Sequence, residues 1–282
     1  LTVMRDGCFI KTAKVGEITR NEIIYSMVGR EITDIYPKET AEIGNNILRV
    51  EDINNDSVHH ISFHLKRGEI LGFTGLVGAG RTEVARALFG MDAISSGNIY
   101  LEEKKLNIKS PKDAVDNGIM MVSEDRRKFG LVTKRDVMEN IMLSNYGRVK
   151  RGLFLKHKKE REITADMIEK LRIKTSGQNT ETASLSGGNQ QKIVIGKWLV
   201  SEPKIFILDE PTRGIDVGAK AEIYKLMCEF AKQGMAIIMI SSDLPELMGM
   251  ADRIYVMSEG KITGELSREE ASQEKIMHFA TV

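Results

Sequence analysis

The sequence predicts an α/β protein built around a parallel sheet, and three observations support that fold class. Short apolar runs, such as Ile70 to Phe73 and Ile205 to Leu208, alternate with helical segments, as a parallel sheet requires. The first run leads into a glycine-rich turn and a helix, the layout of a phosphate-binding loop. The second run ends in two adjacent acids. We therefore expect phosphate chemistry at one edge of the sheet.

The composition is that of an ordinary globular protein. Of 282 residues, 41% are hydrophobic, and 41 Lys and Arg residues against 40 acids leave a net charge of +1. This balance excludes bulk attraction to nucleic acid or to an anionic membrane, so any partner must be selected locally. The apolar runs are far shorter than the roughly 20 residues that cross a bilayer.

The two cysteines indicate a reducing environment. Cys8 and Cys228 lack the paired spacing of a zinc site or a redox motif, and no secretory signal is visible. We interpret them as inert thiols in a cytoplasmic protein.

The beginning of the chain is similar to its end. With an offset of 253 positions and no gap, Val3 and Gly7 fall on Val256 and Gly260. Both copies predict a strand, a tight turn, a strand and a helix. Because the chain also starts with Leu1, we expect residues 1–30 to be the end of a preceding unit.

The remaining organisation follows from composition. Residues 31–46 combine Pro37, Gly44 and polar residues, and are expected to form a linker. The main unit is then expected over residues 47–282. Residues 125–200 are charged and helical in pattern, and we interpret them as an inserted helical subdomain.

Two further strands are predicted by periodicity. Ile61, Phe63 and Leu65 alternate with polar residues, which indicates a half-buried strand, and Met235 to Ile240 indicates a buried one.

The glycine-rich turn matches the pattern GxxxxGK[ST] at every position but one. Its residues are Gly75, Leu76, Val77, Gly78, Ala79, Gly80, Arg81 and Thr82. Glycines let backbone N–H groups wrap a phosphate chain, and the helix predicted over Thr82 to Phe89 adds about half a positive charge behind them. Thr82 can supply a hydroxyl to magnesium. Taken alone, the motif also fits a turn without a ligand.

Two residues weaken this predicted site. Arg81 stands where the pattern has Lys, and its bulky planar fork holds or crowds phosphates differently from an ammonium. Glu83 places a carboxylate where such loops often have another hydroxyl. Like charges about 4 Å apart cost on the order of 4 kcal/mol at an effective dielectric near 20.

The strand ending at Leu208 is followed by Asp209 and Glu210. Asp209 is suited to hold magnesium through a water molecule or through Thr82. Glu210 is suited to polarise an attacking water. On its own, such a pair also fits a simple turn cap.

A second glycine pair opens a helix upstream of the acids. The segment Leu185 to Asn189 reads LSGGN, and Ser186 is expected to cap a helix that begins near Gly188. The helix carries Ile193, Val194, Trp198 and Leu199 on its expected buried side. Its N-terminus is a second candidate anion site.

In this order, the phosphate loop, the LSGG helix and the Asp-Glu pair resemble the ABC ATPase family over residues 47–282. The resemblance implies a P-loop NTPase core with an antiparallel β subdomain and an inserted helical subdomain. It implies ATP and Mg²⁺ as cofactors, with two cassettes paired head to tail. Ser186, Gly187, Gly188 and Asn189 would then contact ATP held by the partner's phosphate loop.

The segment Glu210 to Lys220, with Arg81 to Glu83 and Ser123 to Arg126, is similar to the second cassette of tandem ATPases of bacterial monosaccharide importers. This implies three partners: a first cassette in the same parent chain, membrane permease subunits and, indirectly, a sugar-binding protein. It implies a peripheral location at the cytoplasmic face of the cell membrane and no nucleic acid. Ribose, galactose and xylose remain open.

Departures from the family pattern predict an asymmetric parent. Glu124 stands where the family presents a Gln to magnesium and water, and Ser242 stands where it has a switch His. We expect this cassette to bind ATP but to hydrolyse it slowly or not at all, while LSGGN completes the competent site of its partner. His59 or His60 is the nearest substitute for the aromatic residue that stacks on adenine.

A pair of histidines and a run of basic residues are not expected to form functional sites. His60 and His64 are both expected on the predicted strand that carries Ile61, where residues i and i+4 lie about 13 Å apart, too far to share a metal ion. The basic run from Lys150 to Arg161 is expected to be a solvated face, with contact to a transporter as the alternative. Two rival functions remain: an ABC protein acting on ribosomes or DNA, and a nucleotide sensor without catalysis.

Overall fold

The computed structural model describes residues 1–5, 8–18, 22, 23, 26, 36–151 and 154–282. In chain order its strands are β1 (Thr2–Arg5), β2 (Cys8–Thr12), β3 (Asn46–Asn54), β4 (Ile61–Lys66), β5 (Ile70–Gly75), β6 (Ser96–Leu101), β7 (Lys104–Leu106), β8 (Ile119–Val122), β9 (Lys150–Arg151), β10 (Phe154–Leu155), β11 (Ile205–Asp209), β12 (Ala236–Ile240), β13 (Arg253–Ser258) and β14 (Lys261–Ser267).

The α-helices are α1 (Arg81–Leu88), α2 (Pro111–Asp116), α3 (Val137–Met142), α4 (Tyr146–Val149), α5 (His157–Lys170), α6 (Gly187–Leu199), α7 (Val217–Lys232), α8 (Leu244–Met250) and α9 (Gln273–Ala280). A short π-helix covers Arg126–Gly130 and a 3₁₀ turn covers Thr182–Ser184. Within the described part of the chain, no helix is both long and apolar enough to cross a membrane.

The central sheet has six strands in the order β14-β13-β5-β12-β11-β8, and only β14 runs antiparallel to its neighbour. Both faces are buried. Phe206 and Leu208 of β11 face one apolar core, and Ile205 and Ile207 face the other. The predicted α/β parallel sheet is therefore confirmed, and the runs read as near-continuous apolar segments because helices or a second sheet cover each face.

The second sheet is antiparallel, in the order β4-β3-β6-β7, and it packs with α1 on one face of the central sheet. Ile61, Phe63 and Leu65 of β4 are buried while the residues between them are not, which confirms the predicted alternation. The placement of His60 on that strand was wrong: β4 begins at Ile61, and His60 instead pairs with Asp52 at 2.7 Å on the surface.

Between β8 and β11, the described residues 123–151 and 154–204 supply no strand to the central sheet. The longest helices of this stretch are α5 and α6. Helix α3 begins with a capping box, in which Asp136 accepts from the backbone of Glu139 and Glu139 accepts from that of Asp136. The extent of a helical subdomain over residues 125–200 stays a prediction.

The residues before β3 are packed more tightly than a linker composition predicts. The ring of Tyr36 lies 5.6 Å from that of Tyr224, and Lys38 forms a 2.8 Å ion pair with Asp252. A Cβ added to Gly249 would lie 2.4 Å from the Tyr36 ring. The linker over residues 31–46 stays a prediction, and residues 31–35 lie outside the described ranges.

The first hairpin repeats the geometry of the last one. β1 and β2 pair with a register shift between Val3 and Met4. β13 and β14 pair with a shift between Val256 and Met257, the same two positions after the offset of 253. The turn at Gly7 and most of the helix expected after the hairpin lie outside the described residues.

Candidate functional site

A cavity of about 620 Å³ opens where β5 and β11 end. It brings together most of the predicted site residues: Val77, Gly78, Ala79, Gly80, Arg81, Thr82, Glu83, Glu124, Asp209, Glu210 and Ser242. Gly75, Ser186, Gly187, Gly188 and Asn189 are not among its lining residues. The carboxyl ends of parallel strands are where α/β sheets bind ligands, because loops there leave a crevice.

The backbone of the phosphate loop depends on glycine at specific positions. Gly75 has φ +153°, and an added Cβ would lie 2.3 Å from the carbonyl oxygen of Met257. Gly80, with φ +96°, is the N-cap of α1, and no side chain caps that helix. The first N–H groups of α1 therefore lack intrahelical partners and face the cavity, as an anion site requires.

Thr82 and Asp209 join the loop to the end of β11. The Thr82 hydroxyl donates to Oδ2 of Asp209 at 3.0 Å. Asp209 is 1% exposed, and its Oδ1 has no hydrogen-bond partner among the described residues. Burial raises the pKa of Asp209 to about 6, and the Thr82 hydrogen bond opposes that shift. A cation beside Oδ1 would therefore stabilise the ionised form of Asp209.

Glu210 is held in an unusual backbone conformation. Its φ is +47°, in the left-handed region that costs a non-glycine residue energy. The backbone N–H of Ser242 donates to Oε1 of Glu210 at 2.7 Å, and the N–H of Glu210 donates to the carbonyl of Ile240 at 2.9 Å. Ser242 thus reaches the site through its backbone. These contacts aim the Glu210 carboxylate into the cavity.

The two weakening residues of the loop both line the cavity. Arg81 Nη1 donates to the carbonyl oxygen of Ser241 at 3.4 Å, a weak contact that leaves the guanidinium available to an anion. Glu83 lies near enough to Asp209 to help raise the pKa of Asp209.

Glu124 is paired with a cation, Arg213, that was not among the predicted site residues. Its carboxylate forms an ion pair with the guanidinium of Arg213, and both residues line the cavity. Lys220 and Asp243 lie 3.6 Å apart at the same wall. Arg213 and Lys220 belong to the segment after Glu210 that carries the family resemblance, but spacing alone did not indicate that the turn folds back onto the cavity.

A buried carboxylate supports the same wall. Glu246 is 1% exposed and accepts hydrogen bonds from the hydroxyls of Thr212 at 2.7 Å and Ser241 at 2.6 Å. Burial raises the pKa of Glu246, and the two hydroxyls oppose the shift. The network fixes the residues on either side of Glu210 and Ser242.

The LSGGN segment lies outside the cavity and is shaped by packing within this chain. Ser186 is the N-cap residue of α6, but the predicted side-chain cap was wrong, because its hydroxyl accepts from Asn189 Nδ2 at 2.9 Å instead. Asn189 Oδ1 accepts from the backbone of Lys174 at 2.8 Å. A Cβ on Gly188 would lie 2.4 Å from that of Ala219 in α7. Gly188 is therefore required for close helix packing.

The cavity offers few protein ligands for a metal. Across the described ranges, no group of three or more His, Cys, Asp or Glu side chains could hold an ion. Magnesium commonly uses one or two protein oxygens and completes its octahedron with water and phosphate. The Thr82 hydroxyl and the unpaired Asp209 Oδ1 fit that mode, and they do not fit an all-protein metal cage.

A family model described as ABC transporter matches residues 58–213. The chain is 54% identical over 282 residues to a putative ribose/galactose/methyl galactoside import ATP-binding protein 1 of Rhizobium etli, covering all of this chain and 54% of that protein. It is 51% identical to ribose import ATP-binding protein RbsA of Oceanobacillus iheyensis, covering 100% and 57%. It is 46% identical over 289 residues to xylose import ATP-binding protein XylG of Geobacillus kaustophilus. The chain spans about half the length of these curated relatives.

Solved structures have the same fold. An ATP-binding cassette of an ABC transporter in its ADP conformation matches with a TM-score of 0.72 at 22% identity, covering 84% of this chain and 99% of that one. CbiO1 of Clostridium perfringens, part of an ABC transporter complex, matches with a TM-score of 0.69 at 27% identity, covering 83% and 93%. The expected core architecture is therefore confirmed.

Proposed function

This chain belongs to the ABC transporter family, and from that premise we propose that it is an ATP-binding unit that couples ATP binding and hydrolysis to monosaccharide import. One observation carries the proposal. The phosphate loop, the Thr82–Asp209 pair and Glu210 converge on one cavity, each in the position that phosphoryl chemistry needs. The names of its relatives, which describe ribose, galactose and xylose import, support the substrate class.

In this proposal the loop backbone and the N-terminus of α1 bind the ATP phosphates, with Arg81 as their cationic side chain. Thr82 and Asp209 would hold Mg²⁺, and the bound ion would neutralise negative charge on the phosphate oxygens. Glu210, oriented by the Ser242 N–H, positions the attacking water. Glu124 contributes to that task only after it separates from Arg213, because the ion pair occupies its carboxylate.

We further infer that residues 1–30 are the end of a preceding cassette and that residues 47–282 are the second cassette of a tandem protein. The matching register shifts of the first and last hairpins support this inference, since a bulge in the same position is a specific feature of a fold. The length of the relatives, about twice that of this chain, agrees with it.

The LSGGN segment is proposed to complete the ATP site of the other cassette. Its separation from the cavity of its own chain supports this role. The ATP site of this chain itself is proposed to hydrolyse slowly or not at all, because Arg81, Glu83, Glu124 and Ser242 replace groups that would otherwise favour the reaction. The further partners would be permease subunits and, through them, a sugar-binding protein, at the cytoplasmic face of the membrane.

Two substitutions in the full-length transporter test the asymmetry. Ser186→Arg places a bulky cation on the LSGG surface and should abolish sugar-stimulated ATP turnover. Glu210→Gln alters only the own site and should reduce turnover much less. Equal losses would overturn the asymmetry. Nucleotide-dependent association without any turnover in the wild-type parent would instead favour a sensor without catalysis.

A further inference from the structure

One side chain, that of Arg126, connects the LSGG helix with the turn after Glu210. Arg126 Nη1 donates to the carbonyl oxygen of Arg213 at 2.8 Å, and Nη2 donates to that of Gly214 at 3.2 Å. A Cβ added to Gly187 would lie 2.7 Å from Nη2 and 3.1 Å from the Gly214 oxygen. Gly187 therefore packs directly on the guanidinium and on the turn that it holds.

The turn is itself tied to Glu210. The backbone N–H of Arg213 donates to the carbonyl oxygen of Glu210 at 3.1 Å, and Gly214 has φ +65°. The Glu210 carboxylate accepts from the N–H of Ser242 across the cavity. A displacement of this wall of the cavity must therefore move the two carbonyl groups to which Arg126 is bonded.

The other end of the connection is equally fixed. The π-helix that contains Arg126 lies along α6, where Arg127 Nε donates to Gln190 Oε1 at 3.3 Å. Further along α6, the buried Lys197 donates to the carbonyl of Gly130 at 2.7 Å. The contacts at Gly187, Gln190 and Lys197 span the helix from its first residue to its last turn. Movement of the π-helix is thus transmitted to the LSGG end of α6.

The chemistry of this contact requires a guanidinium. Two carbonyl oxygens on consecutive residues are reached by two N–H groups of one planar fork, which a lysine ammonium matches poorly. The Nε of Arg126 is buried without a hydrogen-bond partner in the described part of the chain. An unpaired buried donor is costly, so the position is not an optimum for stability alone.

We propose that Arg126 is a positioning residue that sets the geometry of the LSGG end of α6 from the turn after Glu210. Nucleotide-dependent movement of that turn then changes the LSGG surface that a second cassette meets. The coupling within this chain stands on the contacts above, whereas its use by a second cassette rests on the proposed function.

Hydrogen exchange of this chain tests the internal coupling. Arg126→Met should accelerate amide exchange about tenfold or more both at Gln190, which donates to Ser186 at the LSGG end of α6, and at Arg213, which donates to Glu210 in the turn, because one contact restrains both segments. Lys128→Met is the matched control, since Lys128 is an exposed cation of the same π-helix whose side chain packs on the Phe129 ring, and it should leave exchange at both segments unchanged. Arg126→Lys should give an intermediate result. Acceleration at only one of the two segments would overturn the coupling.

Turnover of the full-length protein tests the use of this coupling. In a Glu210→Gln background, Arg126→Met should still lower kcat about tenfold with KM for ATP changed less than about twofold, because the loss lies in the partner's site. If the loss disappears in that background, Arg126 acts only on its own Glu210 and the proposal is wrong. If Ser186→Arg also leaves turnover unchanged, the proposed LSGG function fails while the exchange result stands independently.

Discussion

The hydroxyl of Thr82 donates a hydrogen bond of 3.0 Å to the carboxylate of Asp209, and this contact links the ends of two strands that are not adjacent in the sheet. Thr82 follows β5 and Asp209 ends β11, and β12 lies between those two strands in the sheet. The contact therefore joins the start of α1 to the end of a strand that is not a neighbour of β5 in the sheet. The pair defines the position of the expected magnesium site more closely than either motif does.

Asp209→Asn should stabilise the protein without ligand at pH 8 and abolish Mg²⁺-dependent nucleotide binding. The folded pKa of about 6 lies above the ordinary 3.8, so ionisation destabilises the fold as pH rises through that interval. The expected gain is on the order of 2–3 kcal/mol at pH 8 and vanishes below pH 4. Urea unfolding at several pH values measures it. A less stable variant at pH 8 would contradict the assigned burial penalty.

Nucleotide affinity of the wild-type protein should fall as pH falls through about 6. Magnesium requires the ionised form of Asp209, so its binding releases a proton wherever that carboxyl is protonated beforehand. Calorimetry of Mg-ATP binding in buffers of different ionisation enthalpy reports this proton release. Asp209→Glu, which keeps a carboxylate, is the comparison variant. A pH-independent affinity between pH 5 and 7 would contradict the prediction.

Arg81→Lys should strengthen Mg-ATP binding by about three- to tenfold, because a compact ammonium fits a phosphate loop with less crowding than a guanidinium. Arg81 makes only a weak 3.4 Å contact with Ser241, so little internal structure is lost. Arg81→Met, which removes the charge, should weaken binding. Fluorescent nucleotide titration measures both. Weaker binding by Arg81→Lys than by the wild type would show that the guanidinium fork is favoured here.

Gly188→Ala should destabilise the fold by about 1–3 kcal/mol, because its methyl group would overlap that of Ala219. Ala219→Gly in the same protein should restore part of the loss by making room. Gly177→Ala is the matched control, since nothing lies within 4 Å of a Cβ at that position. Urea denaturation compares the wild type, both single variants, the double variant and the control. Additive losses in the double variant would exclude a direct contact.

Arg253→Met should cost about 3–5 kcal/mol, because it leaves the buried carboxylate of Glu69 without its cation. Arg253 Nε contacts Glu69 Oε1 at 2.9 Å, and their side chains are 12% and 3% exposed. Arg67→Met, which breaks an exposed pair with Glu102, should cost under about 1 kcal/mol. The two free energies of unfolding should differ accordingly. Similar values for both variants would refute the role of burial.

The motifs and most strands could be predicted from sequence because each rests on local periodicity or on residues close together in the chain. Asp209 and Glu210 illustrate this, since an apolar run that ends in acids indicates the edge of a sheet. The cap at Ser186 was predicted wrongly, because its hydroxyl accepts from the side chain of Asn189 rather than from a backbone N–H of the first turn of α6. The position of Arg213 in the wall of the cavity was not predicted, because the path of the turn depends on the left-handed φ of Glu210.

The strand that carries the phosphate loop, β5, is flanked by β12 and β13, whose residues 236–240 and 253–258 come far later in the sequence than β5 itself. On the ribosome, β5 emerges long before either neighbour has been synthesised. Its apolar residues must wait, exposed or held by chaperones, until residues 236–258 appear. Nucleotide recognition is thus acquired only after residues 236–258 have been synthesised, and a chain that stops before residue 236 would retain every residue of the loop without the ability to bind.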